Sequence, residues 1–308
     1  MTRNELLDLF TPIYDQFVQI AAQGVQMEHP KLFDVVIDPT KDWKFNAISG
    51  LGAWEAVDED SDEGLDHFVI GYEGTITPAM YRKYFYVTFQ VSEQMEYAAL
   101  KSKITKAEAL GRGGAARLEI LTASLLINGF STACADGLYL FYNTHYKNPE
   151  ETGTTYDNLL SGAFSHDNLE TAEAQISAEF FDLDGLPMAP TAGKASIAFP
   201  PAIRGAVMRV LSDRADERPS TTLRDINLYN GKYTPVEWIY LGAELGGSDT
   251  AWYIIYPGVK NLKLIKNTAN PQYASWIENL KHRYYFDGWL YADADATDWR
   301  GLFGSTGL

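Results

Sequence analysis

Cysteine is close to absent. Cys134 is the only one in 308 residues, which excludes an intrachain disulfide and a thiolate metal cluster. A lone thiol of this kind reads as a small buried hydrophobe in a reducing cytosol. Long apolar runs are missing too. No uninterrupted stretch approaches the ~18 residues of a membrane span, and Met1-Thr2-Arg3-Asn4-Glu5 has no apolar signal core. The chain is therefore expected to be made and kept in a cytoplasm, with no membrane partner, and its start at Met1 gives no sign of a removed propeptide. Positive charge is scarce: 25 Lys and Arg stand against 41 Asp and Glu, a net charge of -16. Nucleic-acid binders usually carry the opposite sign, because their affinity comes from neutralising phosphates. An acidic wall repels DNA, which suits a container for DNA as well as an ordinary soluble protein.

Recognisable catalytic spacing is also lacking. His29, His67, His145, His166 and His282 never pair at i, i+3 or i, i+4, and no His-Glu-x-x-His or Gly-x-Ser-x-Gly motif occurs. Gly111-Arg112-Gly113-Gly114 lacks the Lys and Ser/Thr of a phosphate loop. The acidic run Asp58, Glu59, Asp60, Asp62, Glu63 and Asp66 has no EF-hand spacing and reads as a solvated patch. Asp293, Asp295 and Asp298 could bind a cation or do acid/base work, but read more simply as an exposed acidic turn. Aromatics make up 13% of the chain, as in many sugar binders, yet no pair of carboxylates is singled out by spacing. No catalytic, cofactor-binding or metal residue is assigned.

What is present is ordinary globular composition, with 46% hydrophobic and 21% charged residues. Leu6, Leu9 and Phe10 make one helical turn. Thr11-Pro12 then reads as a cap and first helical residue for Ile13, Phe17, Ile20 and Ala21, with Gly24 as the stop. Residues 25–50 read as an extended arm. Phe68, Ile70, Tyr72 and Ile76, then Phe85, Val87, Phe89 and Val91, alternate as two strands of one ribbon turning at Thr77-Pro78. A long helix starts near Glu93 or Ser102 and runs through Leu125; its three glycines predict a kink or close backbone packing. Leu138–Tyr142 is a short strand candidate. Ser165 caps a helix through Leu169, Ala172, Ile176 and Phe180, and Asp182-Leu183-Asp184-Gly185 is a turn. Strands are expected at 195–199, 252–256, 262–265 and 282–290, with a weaker one at 238–241, and a helix after Pro200-Pro201. The order is α+β.

Read together, three stretches and the C-terminus carry a resemblance. The first is Tyr86-Val87-Thr88-Phe89-Gln90-Val91-Ser92-Glu93 leading into the long helix, with its exit Leu125-Leu126-Ile127-Asn128-Gly129-Phe130. The second is Asp136-Gly137-Leu138-Tyr139-Leu140-Phe141 followed by Asn143-Thr144-His145. The third runs from Asp182-Leu183-Asp184-Gly185-Leu186-Pro187 to Phe199-Pro200-Pro201. The ending, Tyr284-Tyr285-Phe286-Asp287-Gly288-Trp289 to Asp298-Trp299-Arg300-Gly301-Leu302-Phe303-Gly304-Ser305, is similar too. In this order they resemble tailed-bacteriophage major capsid proteins of the Hong Kong 97 fold, in the Mu-like major head subunit group.

The resemblance implies a structural shell subunit with an N-terminal arm (1–48), an extended E-loop (49–96) lying over a neighbour, a peripheral domain around a spine helix (97–165, with return strands 273–308) and an axial domain (166–272). It implies assembly with itself as hexamers and pentamers, with portal, scaffolding and decoration proteins as further partners, and a place in the virion around packaged double-stranded DNA. No cofactor is implied. Residues 51–81 contain no Lys, so the E-loop crosslink of some family members is not expected. An encapsulin-like nanocompartment shell shares the fold and is the nearest alternative; a carbohydrate-active enzyme or lectin is a remote one.

Overall fold

The computed structural model describes residues 3–48, 69–89, 97–149, 152–188, 193–212 and 227–308. Helix α1 (Arg3–Gln23) leads through a 3-10 turn at His29–Lys31 to β1 (Asp34–Ile37) and β2 (Trp43–Ile48). β3 (Ile70–Ile76) and β4 (Ala79–Thr88) precede the long helix α2 (Tyr97–Asn128). The two-residue strands β5 (His145–Tyr146), β6 (Thr155–Tyr156) and β7 (Leu159–Leu160) come next. They are followed by α3 (His166–Glu179), β8 (Ser196–Phe199), α4 (Arg204–Ser212) and β9 (Thr234–Glu237). β10 (Trp252–Ile255), β11 (Leu262–Lys266), β12 (Gln272–Glu278), β13 (Arg283–Ala296) and β14 (Leu302–Ser305) complete the chain.

Two sheets organise these elements. One runs β7-β14-β10-β8-β9, and β8, β10 and β14 are buried at every position. Their largely apolar residues, with no polar alternation, fit strands covered on both faces. α3 covers part of this sheet's core with Leu169, Ala172 and Ile176, and the Ser165 hydroxyl accepts the Asn168 N–H at 3.2 Å as its cap. In the other sheet β13 is central. It pairs antiparallel with β4 over 283–292, with β12 over 283–289 and with β11 over 292–296, and β1 joins parallel to β11.

α2 spans both cores. Its C-terminal half places Leu118, Ala123 and Leu126 in the large core that holds Trp238, Trp252 and Trp299. Its N-terminal half places Ala107 and Leu110 in a small aromatic core with Tyr14 and Val18 of α1, Val87 of β4, Phe89 just beyond it, and Tyr284 and Phe286 of β13. Each buried Leu, Val or Phe side chain among these contributes roughly 1.5–3 kcal/mol relative to exposure. The close packing expected from the glycines is present at Gly111, where a Cβ would fall 2.1 Å from the Val18 carbonyl oxygen.

Several expectations are corrected. α1 passes through Pro12 unbroken; Thr11 does not start a second helix, and its hydroxyl lies 3.0 Å from that of Ser275. Residues 25–48 are not a plain arm, because β1 enters a sheet and β2 a hairpin. The ribbon is not 68–76 against 85–91: β3 pairs with β2, and β4 pairs with β13. A two-residue hairpin loop needs positive φ, which Pro78 cannot adopt and Thr77 does not. The inward Phe85 instead stacks on Phe286, with ring centroids 5.3 Å apart. Residues 138–142 form a turn with one bridge, Ala133 to Tyr139, and the weak strand at 238–241 is a 3-10 turn after β9. The closing strand runs on to Ala296, so Asp293 and Asp295 are half-buried strand residues rather than an exposed turn. β12 and β14 fall in or at the edge of 273–308, where return strands were expected without bounds. The acidic run 58–66 lies outside the described residues.

Candidate assembly surfaces and polar clusters

The β2–β3 hairpin is the least self-sufficient element. Trp43 opposes Ile76, Phe45 opposes Gly74, and Ile48 opposes Ile70 past an irregularity at Asn46/Ile48. The Phe45 ring lies over Gly74, where a Cβ would sit 2.5 Å from it, so a larger residue there would push the ring aside. The base is anchored: Ile76 is buried, and the Tyr72 hydroxyl donates to the Tyr146 carbonyl at 3.4 Å. At the far end Gly71 is buried, where a Cβ would lie 2.9 Å from Leu183, but Ile48 and Ile70 are 62% and 59% exposed. A two-stranded ribbon is marginal alone in water, so its apolar end calls for another surface.

The outer face of the β4–β13–β12 sheet also displays aromatic side chains. Trp276 stacks on Tyr285 at 5.1 Å and 5°. Tyr84 and Tyr86 flank Tyr285 and are exposed. Arg283 lies 4.1 Å over the Tyr86 ring, and Arg82 pairs with Asp287 at 2.6 Å. Exposed apolar and aromatic groups of this density mark interaction surfaces.

The buried polar groups are structural ties. Glu119, with no solvent exposure, accepts the Glu28 and His29 N–H groups at 2.9 and 3.3 Å, the His29 Nδ1 at 2.6 Å, and the Trp238 Nε1–H at 2.6 Å. It fastens the turn after α1, the spine of α2 and the turn after β9 to one carboxylate. Arg300 is equally enclosed. Its guanidinium donates to Asp298 at 2.7 Å, to the Phe181 carbonyl at 2.8 Å and to the Lys147 carbonyl.

Cys134, Asp136 and His145 meet, which sequence spacing did not show. The thiol donates to Asp136 at 3.0 Å and His145 Nδ1 lies 2.6 Å from the other carboxylate oxygen. Burial, helped by the Asp136 charge, pushes the Cys134 thiol well up, which suppresses the thiolate that a nucleophile or metal ligand needs. Burial alone would raise Asp136, but hydrogen bonds from His145, Cys134 and the Leu138 N–H outweigh it and hold the carboxyl below its usual range. His145 stacks flat on Trp299 at 4.6 Å. The trio orders the loop between α2 and β5 rather than offering a reactive group to substrate.

Asp293 and Asp295 accept the N–H of their own following residues, at 2.9 and 2.8 Å. Burial raises both, and Asp293 further raises Asp295. Asp298 is taken by Arg300, so the three carboxylates do not converge. At the start of α3, His166, Asp167 and Glu170 bring ligand atoms within 4.8 Å of one another and could hold a cation. Its signal in the sequence is a His/Glu spacing of four rather than a pair of histidines. Glu119 had a visible signal: a charge set among Ala115, Leu118, Thr122 and Ala123 on the apolar stripe of α2.

No protein-family model matches the sequence, and no curated protein matches it. Solved structures do. The procapsid of bacteriophage JBD30 matches 99% of this chain and 76% of its own at 14% identity, with a TM-score of 0.54. The mature capsid of bacteriophage PhiM1 matches 89% and 84% at 11% identity and 0.56. The virus-like particle from Pyrococcus furiosus matches 95% and 97% at 8% identity and 0.53. The α+β, Hong Kong 97-like fold expected from the sequence is therefore the one observed.

Proposed function

We propose that this chain is a shell-forming structural subunit, the major capsid protein of a tailed bacteriophage, and not an enzyme. One observation carries the reading: a capsid fold over nearly the whole chain that leaves a ribbon with an uncovered apolar end. Copies of one subunit supply what the ribbon lacks through heterologous contacts that close into rings and a shell. Stable contacts of this kind bury roughly 1,200–2,000 Å² or more. In this reading the β2–β3 hairpin takes the part of the E-loop. α2 is the spine of a peripheral domain with the β13 sheet, and residues 166–272 form most of the axial domain that meets its copies at hexamer and pentamer centres. The partners are the chain itself, a portal and scaffolding proteins, with decoration proteins on the outside. The location is the virion, after assembly in the host cytoplasm. The acidic balance lets packaged DNA slide without sticking.

A shell without a phage genome, as in a nanocompartment, is the second reading; the length agreement with the virus-like particle favours it. Electron microscopy of the purified protein with size-exclusion light scattering tests both. Closed shells, or rings of five and six, support a shell subunit. A monodisperse monomer that never assembles, even with scaffolding protein or crowding, defeats it. Double-stranded DNA inside particles from the native source separates phage head from compartment.

A further inference from the structure

Glycines open a groove between α2 and the β4–β13–β12 sheet. Gly113 and Gly114 of the helix and Gly288 of β13 line it, and its volume is about 360 Å³. A Cβ at Gly113 would meet nothing within 4 Å, whereas one at Gly288 would lie 3.0 Å from the Tyr273 ring and 3.3 Å from Leu110 of α2. Gly288 is paired with Lys83 on one side and Tyr273 on the other, and Leu290 with Tyr81. Directly paired residues point to one face of a sheet, so Tyr81, Lys83 and Tyr273 share the face that meets α2. Among the described residues no Asp or Glu lines the groove; its charged residues are Arg82, Lys83 and Arg117, in a chain of net charge -16. Arg82 is taken by Asp287 at 2.6 Å. Arg117 is held with its guanidinium carbon 4.0 Å from the centre of the Tyr81 ring, while its Nε is buried without a hydrogen-bond partner. The Tyr273 hydroxyl is buried without one too, 3.6 Å from where a Gly114 Cβ would stand. Burial raises Tyr273, so this hydroxyl keeps its proton. Buried polar atoms are rarely left unmet, and two of them border one groove.

We propose that this groove binds a phosphate-bearing ligand of about nucleotide size. Arg117 of α2, Lys83 of β4 and the Tyr273 hydroxyl of β12 supply the donors. A phosphate group presents three strong acceptor oxygens, enough to serve donors that arrive from three elements. A guanidinium fixed flat on a ring loses little further freedom when the anion arrives. The glycines contribute space and not amide donors, because Gly113 and Gly114 lie inside α2, where backbone N–H groups are spent on the helix; the site is therefore unlike a phosphate loop. The volume falls in the range of small-molecule sites and exceeds what a bare phosphate fills. Tyr81, Leu110 and Leu290 give apolar walls to the rest of the ligand. A ligand held by α2, β4 and β12 together ties the N-terminal half of the helix to the sheet, so binding stabilises the subunit by mass action. None of this depends on assembly into a shell.

Calorimetric titration and thermal melting of the full-length chain test the site. The probes are inorganic phosphate, adenosine monophosphate and a short single-stranded oligothymidylate, each against chloride at matched ionic strength. The variants are Lys83→Gln, whose side chain is exposed, and Tyr273→Phe, which removes only the hydroxyl. Lys44→Gln, on β2, is the control, and melting without ligand checks that every variant folds. The expected result is that at least one phosphate probe binds and raises the melting temperature of the parent, while chloride does neither. K83Q and Y273F should each weaken that binding roughly five- to tenfold, with K44Q unchanged. Tighter binding of the mononucleotide than of phosphate marks a free small molecule as the source. Binding of the oligonucleotide alone, weakened in both variants, marks a nucleic-acid backbone. No binding of any probe overturns the site. So does parent affinity in either K83Q or Y273F, because the donors assigned to the ligand do not then hold it.

Discussion

The two halves of α2 are held by different means. The C-terminal half is sunk in a large apolar core and carries one fully satisfied carboxylate, Glu119. The N-terminal half lies against α1 by backbone approach at Gly111, over a small core dominated by aromatic rings. Thick packing with a polar tie fixes one end in position. Close contact through a missing side chain fixes the other only as long as α1 stays put. A helix that spans a subunit thus has a deeply rooted end and an end that depends on a neighbouring helix.

Removing the tie is the strongest way to break this contrast. Glu119→Ala leaves the Glu28, His29 and Trp238 donors unmet inside the protein, and breaking such a buried network costs about 3–5 kcal/mol. Urea unfolding should lose that much, and a cost near zero would show that water replaces the carboxylate easily. The glycines sharpen the contrast at the other end. Gly111→Ala forces a methyl group toward the Val18 carbonyl and should cost about 1–3 kcal/mol. Gly113→Ala, where nothing lies within 4 Å, should gain up to ~1 kcal/mol from helix propensity. Equal effects at the two positions would remove the close approach as the explanation.

A smaller effect belongs to Asp293 and Asp295, which line a cavity of about 280 Å³ against the C-terminal half of α2. Burial raises both carboxyls above the ordinary 3.8. Their favourable contribution is therefore fully present below that value and lost as pH rises through the folded values. D293N/D295N should be more stable than the parent at neutral pH, by no more than about 1 kcal/mol because both side chains keep some hydration. The two proteins should converge in acid. A variant less stable than the parent at neutral pH would reverse the sign assigned to burial.

How much of this was legible depends on whether a residue's reasons were local. Ser165, Leu169, Ala172 and Ile176 announce α3 because cap and stripe lie within one helix. The strand 195–199 announces itself because it is covered on both faces. The hairpin was misread because Ile70–Ile76 and Phe85–Phe89 alternate alike, and only the distant Phe286 and Tyr284 decide that the second of them belongs to β13. Asp293 looked like part of a turn for the same reason: its strand partner, Ile265, is 28 positions away. The Cys134–Asp136–His145 cluster is set by loop folding that no period encodes. The capsid-like fold was legible through ordered motifs, while the pairings that place the ribbon were not.

The ribbon gives the smallest effect on folding and the largest on assembly. Ile48 and Ile70 oppose each other at its outer end and are mostly in water, so replacing both by serine removes little burial within the subunit. Unfolding free energy should stay within about 0.5 kcal/mol, the usual range for surface changes. If the apolar end is covered by another copy, the same substitutions withdraw it from a buried contact, and the yield of closed particles should collapse. Against E119A this makes a crossed pair: one variant unfolds easily, and the other folds normally but does not assemble. Should I48S/I70S destabilise the isolated subunit by several kcal/mol, the ribbon end is covered by its own chain and the contrast between rooted core and borrowed surface is lost.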